Sequence, residues 1–583
     1  MAATSIPNVN CLWGEIAAAT LARLGLRHAV IAPGSRSAPL VWGLTRQLDI
    51  SCISVLDERS AGFYALGVAR ASGRPVALVC TSGTAVANFL PAVIEASYSA
   101  VPLLVLTADR PPELRECNAG QAIDQVKIYG HYPRWQHEVA LPESRLEMLR
   151  YLRQTMLHAW ERALQPWSGP VHLNFPFREP LAPTPQAGFT APANVDLDQI
   201  LDGNLSFFGA IPLAGYGASL CPKEILQARD GVIIAGPAQP TSLPGYLDLV
   251  GRWARKTGWP ILADALSPLR HDSKLVGQIV SHYDLILRSP KHLTNLTPEA
   301  VIHLGPLPTS KVLRNWLGQL HVPTLMVHDG PDNVDPLHRP VYNWRAGLGQ
   351  LHEIGLRLAT CNKANLARWK KLDTAAAESI AKRFSSFDTL FEGKAAWLLS
   401  RKLPAGTPVF VASSMPVRDC EFFWEAGRGQ RLFFNRGANG IDGTASTALG
   451  VAHATGKPSV IYTGDLALLH DQNGLLAARE LPSGASLTIV LINNDGGGIF
   501  EHLPIAKFDP PFEKFFATPQ SVNFKKFSAF HNLDYFCPRR WKDFEKTISA
   551  LPKQGVRLVE LRTKRKPDAA FRANFFQEIS HNL

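Results

Sequence analysis

Two stretches in the last quarter of the chain carry the residue types of a metal and phosphate site. GDLALLHD (464–471) and INNDGGGIF (492–500) place Asp465 and Asn494 at the ends of two successive apolar runs. Mg²⁺ prefers oxygen ligands and completes its coordination shell with substrate phosphates. One carboxylate, one amide oxygen and a backbone carbonyl from Gly496 meet that preference, and a glycine-rich turn lets the main chain approach a phosphate closely. Helix caps around a tight turn would explain either stretch alone, but together they predict a magnesium–diphosphate site.

A further acidic residue, Glu58, lies in VLDERSAGFYALG (55–67), where an apolar run gives way to a helical pattern. Acidic side chains favour the first turn of a helix, so capping is one interpretation of Glu58. A chemical role for the carboxyl group is the other. The residues around Glu58 leave both interpretations open.

The elements that must position these residues are apolar, strand-like runs that alternate with helical patterns. They fall into three sets, at 28–35, 51–58, 75–83 and 101–110, then at 230–237, 259–265, 300–306 and 323–329, and last at 407–415, 431–437, 459–466 and 486–494. Continuous apolar strands separated by helices are typical of parallel sheets covered on both faces. We therefore predict an α/β fold of three domains, each a mainly parallel sheet with helices on both faces. Their predicted bounds are 1–185, 200–365 and 385–583, with a Pro- and Ala-rich linker at 179–195.

Ligands of open parallel sheets bind at the carboxyl ends of the strands, so polar residues at those ends are site candidates. The first and third sets carry most of them: Ser35, Arg36, Asp57, Glu58, Ser82, Gly83, Thr84, Asp109, Arg110, Ser413, Ser414, Arg436, Gly464, Asp465, Asn493 and Asn494. This distribution predicts that the first and third domains contribute to one site.

Composition narrows the class of protein. The 583 residues carry a formal net charge of +11, which suits anionic substrates as well as nucleic acid. The one dense basic run, RTKRK (562–566), is interpreted as a solvated surface strip, so we expect no nucleic-acid partner. No apolar run is long enough to enter a membrane. The eight cysteines stand singly without a CxxC pair, which predicts buried free thiols in a reducing cytoplasm.

The GDL and NN residues resemble the GDG…NN signature of thiamine diphosphate-dependent enzymes, with Leu466 in place of the last glycine, as in one branch of that superfamily. Longer motifs are similar to those of the 2-succinyl-5-enolpyruvyl-6-hydroxy-3-cyclohexene-1-carboxylate synthase family. They are APGSRSAPL (32–40), DERSAGFYALG (57–67), CTSGTAVANFLPAVIEA (80–96), LTADRPPELRECNAGQAIDQ (106–125), PTSKVLRNWL (308–317) and FNRGANGIDGTASTALG (434–450).

The resemblance implies a reaction, cofactors and partners. The family removes carbon dioxide from 2-oxoglutarate and adds the remaining succinyl fragment to isochorismate, in menaquinone or phylloquinone biosynthesis. Thiamine diphosphate and Mg²⁺ or Mn²⁺ are the implied cofactors. Two subunits build each site in this superfamily, so a homodimer at least, or a homotetramer, is expected. Another thiamine-dependent 2-oxo acid decarboxylase or carboligase, a non-catalytic protein of this fold, and a nucleic-acid binder are the alternatives.

The resemblance also assigns roles to residues. Glu58 is implied to exchange a proton with the aminopyrimidine ring, Ile441 to be the apolar wedge that bends the cofactor, and Phe500 to be a wall of the site. The implied cofactor-binding set is Ser82, Gly83, Thr84, Met415, Gly440, Ile441, Gly464, Asp465, Leu466, Asn494, Gly497, Ile499 and Phe500, with Asp465, Asn494 and Gly496 as metal ligands.

Both substrates are dianions, and arginine binds carboxylates in a bidentate manner. The implied 2-oxoglutarate residues are Ser414, Arg418 and Arg436, and the implied isochorismate residues are Ser35, Arg36, Arg110, Gln121 and Lys311. Val312 stands where the family often has a second basic residue, so Arg314 is a candidate replacement.

Overall fold

The computed structural model describes residues 6–189, 221–345, 348–360 and 363–583, and these contain three sheets of six parallel strands each. The first sheet consists of β1 (His28–Ile31), β2 (Ser51–Ser54), β3 (Val76–Cys80), β4 (Leu103–Asp109), β5 (Trp135–Glu138) and β6 (Pro170–Pro176), in the order β2-β1-β3-β4-β6-β5. The second consists of β7 (Gly231–Ala235), β8 (Ile261–Ala263), β9 (Ile279–Val280), β10 (Ala300–Leu304), β11 (Thr324–His328) and β12 (Tyr342–Arg345), in the order β12-β11-β10-β7-β8-β9. The third consists of β13 (Pro408–Val411), β14 (Arg431–Phe433), β15 (Pro458–Gly464), β16 (Ser486–Asn493), β17 (Asp534–Phe536) and β18 (Val556–Arg562), in the order β14-β13-β15-β16-β18-β17.

Helices connect the strands. Around the first sheet they are Val9–Leu24, Ala38–Arg46, Glu58–Ser72, Thr84–Asn88, Leu90–Tyr98 and Leu146–Leu164. Around the second they are Lys223–Gln227, Leu243–Thr257, Pro268–His271, Tyr283–Leu287, Pro290–Leu293, Lys311–Gln319, Leu348–Arg357 and Ala364–Ser385. Between or beside the strands of the third they are Glu392–Lys402, Met415–Phe423, Asp465–His470, Phe524–Phe530, Trp541–Ser549 and Arg565–Asn582. Thr444–Thr455 follows β14 in the chain but packs on Glu58–Ser72. Short helices of other types are Pro112–Leu114, Ser273–Leu275, Gln472–Glu480, Gly498–His502, Pro504–Lys507 and Glu513–Ala517.

The predicted α/β fold is confirmed, and each of the predicted apolar runs contains a strand. Six further strands, β5, β6, β9, β12, β17 and β18, were not predicted. They are short or carry polar residues, as in PVHLNFP and VRLVELR, so they lack a continuous apolar run. The domain bounds stay a prediction, and 190–195 of the predicted linker lie outside the described residues, as does Cys361.

Strand β7 shows how both faces of a sheet are covered. Ile233 and Ala235 belong to one buried cluster with Trp253, whereas Val232 and Ile234 belong to another. Successive side chains of a strand point to opposite faces, so each face of this sheet has its own helix-covered core.

The chain divides into two compact units. The first unit contains the first sheet together with residues 435–456 and 470–485, and the second contains the other two sheets. In the first unit, the helices Glu58–Ser72 and Thr444–Thr455 touch through glycines. A Cβ at Gly67 would lie 2.1 Å from the carbonyl oxygen of Thr447, and a Cβ at Gly450 would lie 2.2 Å from that of Tyr64. These glycines permit the close packing that holds the helix of Glu58 in place.

None of the helices within the described residues is long and apolar enough to cross a membrane.

Candidate active site

Asp465 and Asn494 lie at the same edge of the third sheet, as predicted. Strands β15 and β16 are parallel neighbours, with Gly464 in register with Ile492, so both chains leave the sheet side by side. The Asp465 carboxylate accepts backbone N–H groups from Leu466 at 2.7 Å and from Gly496 at 2.9 Å. Burial raises the pKa of Asp465 to about 6, a cost that a bound cation would offset.

The side-chain amide of Asn494 is buried and only half used. Its Nδ2 donates to Oε1 of Glu392 at 2.7 Å, whereas its Oδ1 has no hydrogen-bond partner among the described residues. A buried carbonyl oxygen without a partner is costly in a finished site. The orphaned oxygen, the Asp465 carboxylate and the adjacent backbone are hard oxygen donors, so these residues fit a Mg²⁺ or Mn²⁺ ion.

The turn that follows Asn494 requires its glycines. Gly496 has φ +136°, and a Cβ there would lie 2.2 Å from the carbonyl oxygen of Ala517. A Cβ at Gly497 would meet the Phe500 ring at 2.6 Å, and one at Gly498 would meet Nδ2 of Asn494 at 2.7 Å. The protein's own packing therefore requires glycine at all three positions, and the predicted approach of a phosphate to this turn stays a prediction.

Arg565 braces the same turn. Its Nε donates to the carbonyl oxygen of Asp495 at 3.2 Å, and its other nitrogens pair with Glu501 at 2.7 Å and Glu513 at 2.9 Å. The Arg565 side chain is only 11% exposed. The interpretation of RTKRK as a solvated strip is therefore wrong for this residue, because its partners come from the glycine turn and from two short helices distant in sequence.

The start of the helix Met415–Phe423 lies close to the glycine turn. Met415 Cγ would be 3.8 Å from a Cβ at Gly498, and Nη1 of Arg418 donates to the carbonyl oxygen of Ser414 at 2.6 Å. Ser414 itself has φ +73°. Burial lowers the pKa of His502 to about 4, and the charges of Arg572 and Arg418 lower it further. This end of the second unit therefore combines an apolar side chain with positive charge.

Two other members of the predicted set, Ile499 and Phe500, belong to the short helix Gly498–His502 that follows the turn. The Phe500 ring packs edge-on against Phe516 at 5.8 Å.

In the first unit, Asp57 rather than Glu58 caps the helix Glu58–Ser72. The Asp57 carboxylate accepts the N–H of Ser60 at 3.0 Å. Glu58 is half-buried and makes no hydrogen bond or ion pair with the described residues. Its charge adds to the burial that raises the pKa of the Cys80 thiol, at the end of β3. The side-chain cap is thus Asp57. Glu58 occupies the first turn, where an acid is favourable, and its carboxylate has no hydrogen-bond partner among the described residues.

The polar residues that follow β3 and β4 converge. Nη1 of Arg110 donates to Oγ of Ser82 at 2.8 Å, and Nε2 of Gln121 donates to the Ser82 carbonyl at 2.8 Å. The N–H of Gly83 donates to Oε1 of Gln125 at 2.8 Å, and Thr84 begins the next helix. Ser82 and Gly83, predicted for the cofactor, and Arg110 and Gln121, predicted for isochorismate, thus lie in one connected cluster.

Arg36 lies beside that cluster. Its Nη1 donates to the carbonyl oxygen of Phe177 at 2.8 Å, and its Nη2 is 3.5 Å from Glu179. Burial and then the charge of Arg110 lower the pKa of Arg36, while Ser35 next to it is exposed. Arg36 and Arg110 are close enough for the charge of one to act on the other, and such a pair of cations favours an anionic ligand.

The loop that carries Arg436, Gly440 and Ile441 is anchored by Glu95. The Glu95 carboxylate accepts the N–H groups of Gly437 at 3.0 Å and Ala438 at 2.6 Å, and it pairs with Arg70 at 3.0 Å. Gly440 and Glu95 both line a cavity of about 220 Å³ in this unit.

Lys311 is exposed at the first position of the helix Lys311–Gln319 and belongs to the second unit. The other four isochorismate candidates belong to the first unit, as does Arg436, whereas Ser414 and Arg418 belong to the second. Arg314 donates from Nη2 to the carbonyl oxygen of Thr309 at 2.8 Å.

Sequence reasoning missed three residues that hold the site: Glu392, Glu95 and Arg565. Glu95 is a single acid in the apolar helical run LPAVIEA, and such a residue is a signal for a buried ion pair. The basic run contained Arg565, but nothing local marks Glu392 as the partner of Asn494.

Comparison with known proteins places the chain among thiamine enzymes. Residues 13–128 match the family described as thiamine pyrophosphate enzyme, N-terminal TPP binding domain, and residues 223–411 match the middle domain of thiamine pyrophosphate enzymes. The chain is 49% identical to the 2-succinyl-5-enolpyruvyl-6-hydroxy-3-cyclohexene-1-carboxylate synthase of Nostoc sp., with 97% of each chain covered. It is also 49% identical to that of Microcystis aeruginosa over 98% of each chain, and 48% identical to that of Acaryochloris marina over 99% of each.

Proposed function

The chain belongs to the 2-succinyl-5-enolpyruvyl-6-hydroxy-3-cyclohexene-1-carboxylate synthase family of thiamine diphosphate-dependent enzymes, and from this premise we propose how its own residues serve the reaction. The reaction is the decarboxylation of 2-oxoglutarate and the transfer of the remaining succinyl unit to isochorismate. One molecule of each substrate gives one molecule of the cyclohexene carboxylate product and one carbon dioxide.

Asp465, Asn494 and the backbone carbonyl of Gly496 would hold Mg²⁺ or Mn²⁺, and with it the diphosphate of the cofactor. The support is the orphaned Asn494 oxygen beside the buried Asp465 carboxylate. The glycine turn braced by Arg565 would present the backbone to the phosphates. When bound, thiamine diphosphate supplies the electron sink that decarboxylation of a 2-oxo acid requires.

Glu58 would bind the aminopyrimidine ring and pass a proton to and from it through its carboxylate. Its side chain is spared from capping because Asp57 performs that task. A half-buried carboxylate without a hydrogen-bond partner among the described residues can exchange a proton with a ring nitrogen that it contacts. Ile441 would be the apolar wedge beneath the cofactor, and Ser82, Gly83 and Thr84 would line the ring pocket.

The substrates would be held by arginines. Arg36 and Arg110, with Ser35, Gln121 and Lys311, would bind the carboxylates of isochorismate. A separate set, Ser414, Arg418 and Arg436, would bind 2-oxoglutarate. The neighbouring positive charges of Arg36 and Arg110 support a dianionic ligand, which would use the N–H groups that the protein's own acceptors leave unused.

We propose a homodimer or homotetramer as the active form, because sites of this superfamily are built from two subunits. The single and mainly buried free thiols support a reducing cytoplasm as its location.

The proposal is carried by one observation above the others: a buried carboxylate and an orphaned amide oxygen stand at adjacent strand ends next to a glycine turn. The test is to follow isochorismate absorbance with 2-oxoglutarate, thiamine diphosphate and Mg²⁺, and to omit each in turn. Absorbance should fall only in the complete mixture. Folded protein that leaves isochorismate unchanged in the complete mixture contradicts the proposal.

A further inference from the structure

Glu392 lies against the proposed metal ligand Asn494, although 102 positions separate them in the chain. It is the first residue of the helix Glu392–Lys402 and only 2% exposed. Its Oε1 accepts Nδ2 of Asn494 at 2.7 Å and Oγ1 of Thr563 at 3.2 Å. The buried Glu392 side chain therefore contacts the amide nitrogen of Asn494, whose amide oxygen is the proposed metal ligand.

An asparagine amide has a donor end and an acceptor end, and only the acceptor can bind a cation. Oε1 of Glu392 accepts Nδ2, which holds the donor end and turns Oδ1 the opposite way. The flipped amide would set Oδ1 against Oε1, which already accepts Oγ1 of Thr563, and would lose the hydrogen bond. The observed orientation leaves Oδ1 buried without a partner among the described residues, so the oxygen is preset for a ligand.

Glu392 is itself fixed by its surroundings. Its N–H donates to Oδ2 of Asp568 at 3.0 Å, and its carbonyl oxygen accepts the hydroxyl of Tyr462 at 3.0 Å. Thr563, the second donor to its carboxylate, donates its own N–H to the carbonyl oxygen of Asn493 at 3.0 Å. The helix start is thus tied to both β15 and the end of β16.

We propose that Glu392 is a positioning residue for metal binding: it locks the Asn494 amide in the orientation that directs Oδ1 to the cation. The inference rests on the proposed function, in which Asn494 is a metal ligand. Groups that orient metal ligands in this way change metal affinity by about 10- to 100-fold when they are removed.

The neighbouring residue provides a matched control. Nδ2 of Asn493 donates to Oε1 of the fully buried Glu560 at 2.6 Å, so this pair has the same amide–carboxyl contact, although Glu560 also pairs with Arg562 at 2.9 Å. The Asn493 oxygen, however, already accepts the N–H of Asp495 at 3.2 Å and is not preset for a ligand. Loss of Glu560 should disturb the same strand end without affecting the cation.

The experiment measures Mn²⁺ binding by electron paramagnetic resonance, with thiamine diphosphate present and no substrate. Glu392→Ala should weaken Mn²⁺ binding about 10- to 100-fold, and Asn494→Ala at least as much. Glu560→Ala should stay within about threefold of the unsubstituted protein. Glu392→Gln should recover most of the affinity, since its amide oxygen can still accept Nδ2 of Asn494.

A second test, independent of Glu392→Ala, exchanges the amide and the carboxyl group between Asn494 and Glu392. Asn494→Asp alone places two carboxylates in contact and should weaken Mn²⁺ binding. Adding Glu392→Gln should restore it, because the new amide donates to the new carboxylate and the other carboxylate oxygen faces the cation. Because relief of the carboxylate contact would also restore folding, the affinities are compared for folded protein, checked by its thermal midpoint.

The outcomes separate the inference from its premise. If the unsubstituted protein binds no Mn²⁺ with the cofactor, or Asn494→Ala binds it normally, the proposed metal site is wrong. If those two behave as expected but folded Glu392→Ala binds normally, or the reciprocal pair shows no recovery, Glu392 has no positioning role. Equal weakening by Glu560→Ala would likewise overturn the specific role of Glu392.

Discussion

At the scale of single residues, the adjacent acids Asp57 and Glu58 differ in their contacts at the start of the helix Glu58–Ser72. Asp57 caps the helix through Ser60 and also accepts Nδ2 of Asn473 at 3.0 Å, whereas Glu58 has no such partner among the described residues. A sequence pattern gives both acids the same helix-start signal. Only backbone geometry decides which carboxylate is used and which is free.

The variant Glu58→Gln should lower turnover by about 10²- to 10⁴-fold, since it removes the group that exchanges a proton. Mg²⁺-dependent cofactor binding, followed by tryptophan fluorescence, should remain. The matched control is Asp57→Asn, which should lower the thermal midpoint slightly and leave kcat within about threefold, because asparagine also caps helices. Near-normal turnover by Glu58→Gln would contradict the assignment.

Arg418 offers a second test at this scale. Arg418→Ala should raise the 2-oxoglutarate KM by about 10- to 100-fold, because a charged hydrogen bond to a carboxylate is worth about 1.5–3 kcal/mol. Arg418→Lys should recover only part of the loss, since lysine lacks the bidentate fork. If the isochorismate KM alone changes, the two substrate assignments are reversed.

At the scale of elements, the loop of Arg436 and Ile441 depends on a buried ion pair. Glu95 and Arg70 have side chains only 3% and 2% exposed, and Glu95 also holds two N–H groups of the loop. Burial removes water from the Arg70 guanidinium and so lowers its pKa, and the charge of Glu95 counteracts part of that effect. Removal of one partner from such a pair is far more costly than removal of both.

Glu95→Leu should therefore destabilise the protein by about 3–5 kcal/mol, seen as a lower apparent thermal midpoint. The double variant Arg70→Met, Glu95→Leu should recover part of this loss, since no buried charge is left unpaired. It should remain below the unsubstituted protein in both midpoint and kcat, because the loop N–H groups still lack an acceptor. Complete recovery of both quantities would show that Glu95 does not anchor the loop.

The sequence could predict elements whose signal is local. Asp465 and Asn494 follow continuous apolar runs, and those runs are β15 and β16. Strands β6 and β18 mix polar with apolar residues and were missed, and Glu392 reaches Asn494 only through tertiary packing. The carboxyl-end rule places Asp465 and Asn494 at one edge of the sheet, but a rule based on neighbours in sequence cannot find Glu392, which contacts Asn494.

At the scale of the whole molecule, the two compact units are not continuous in sequence. Residues 435–456 and 470–485 lie within the predicted third domain but belong to the unit of the first sheet. Glycine contacts such as Gly67 with Thr447 explain their place, and no composition change marks them in the sequence.

The pH dependence of the free energy of unfolding is a property of the whole molecule, and the buried His172 contributes to it. His172 is 2% exposed, its Nε2 is 2.8 Å from Oγ1 of Thr107, and burial lowers its pKa to about 3. Folded His172 stays neutral, whereas the unfolded chain takes up a proton below about pH 6.5. The free energy of unfolding therefore falls as pH drops from about 6.5 toward 3, by up to about 1.4 kcal/mol per pH unit from this group.

His172→Gln should flatten that dependence. Between pH 7 and 5, thermal midpoints of the variant should fall less steeply than those of the unsubstituted protein, whatever their absolute level. Parallel curves would show that His172 is not held neutral in the folded protein.

The most direct test of the central claim is a comparison of two amounts in one reaction. The enzyme is mixed with 2-oxoglutarate labelled at carbon 1, isochorismate, thiamine diphosphate and Mg²⁺, and labelled carbon dioxide and lost isochorismate are measured together. The account predicts equal amounts of the two at every time point. Carbon dioxide release without loss of isochorismate would instead identify a simple 2-oxo acid decarboxylase and contradict the account.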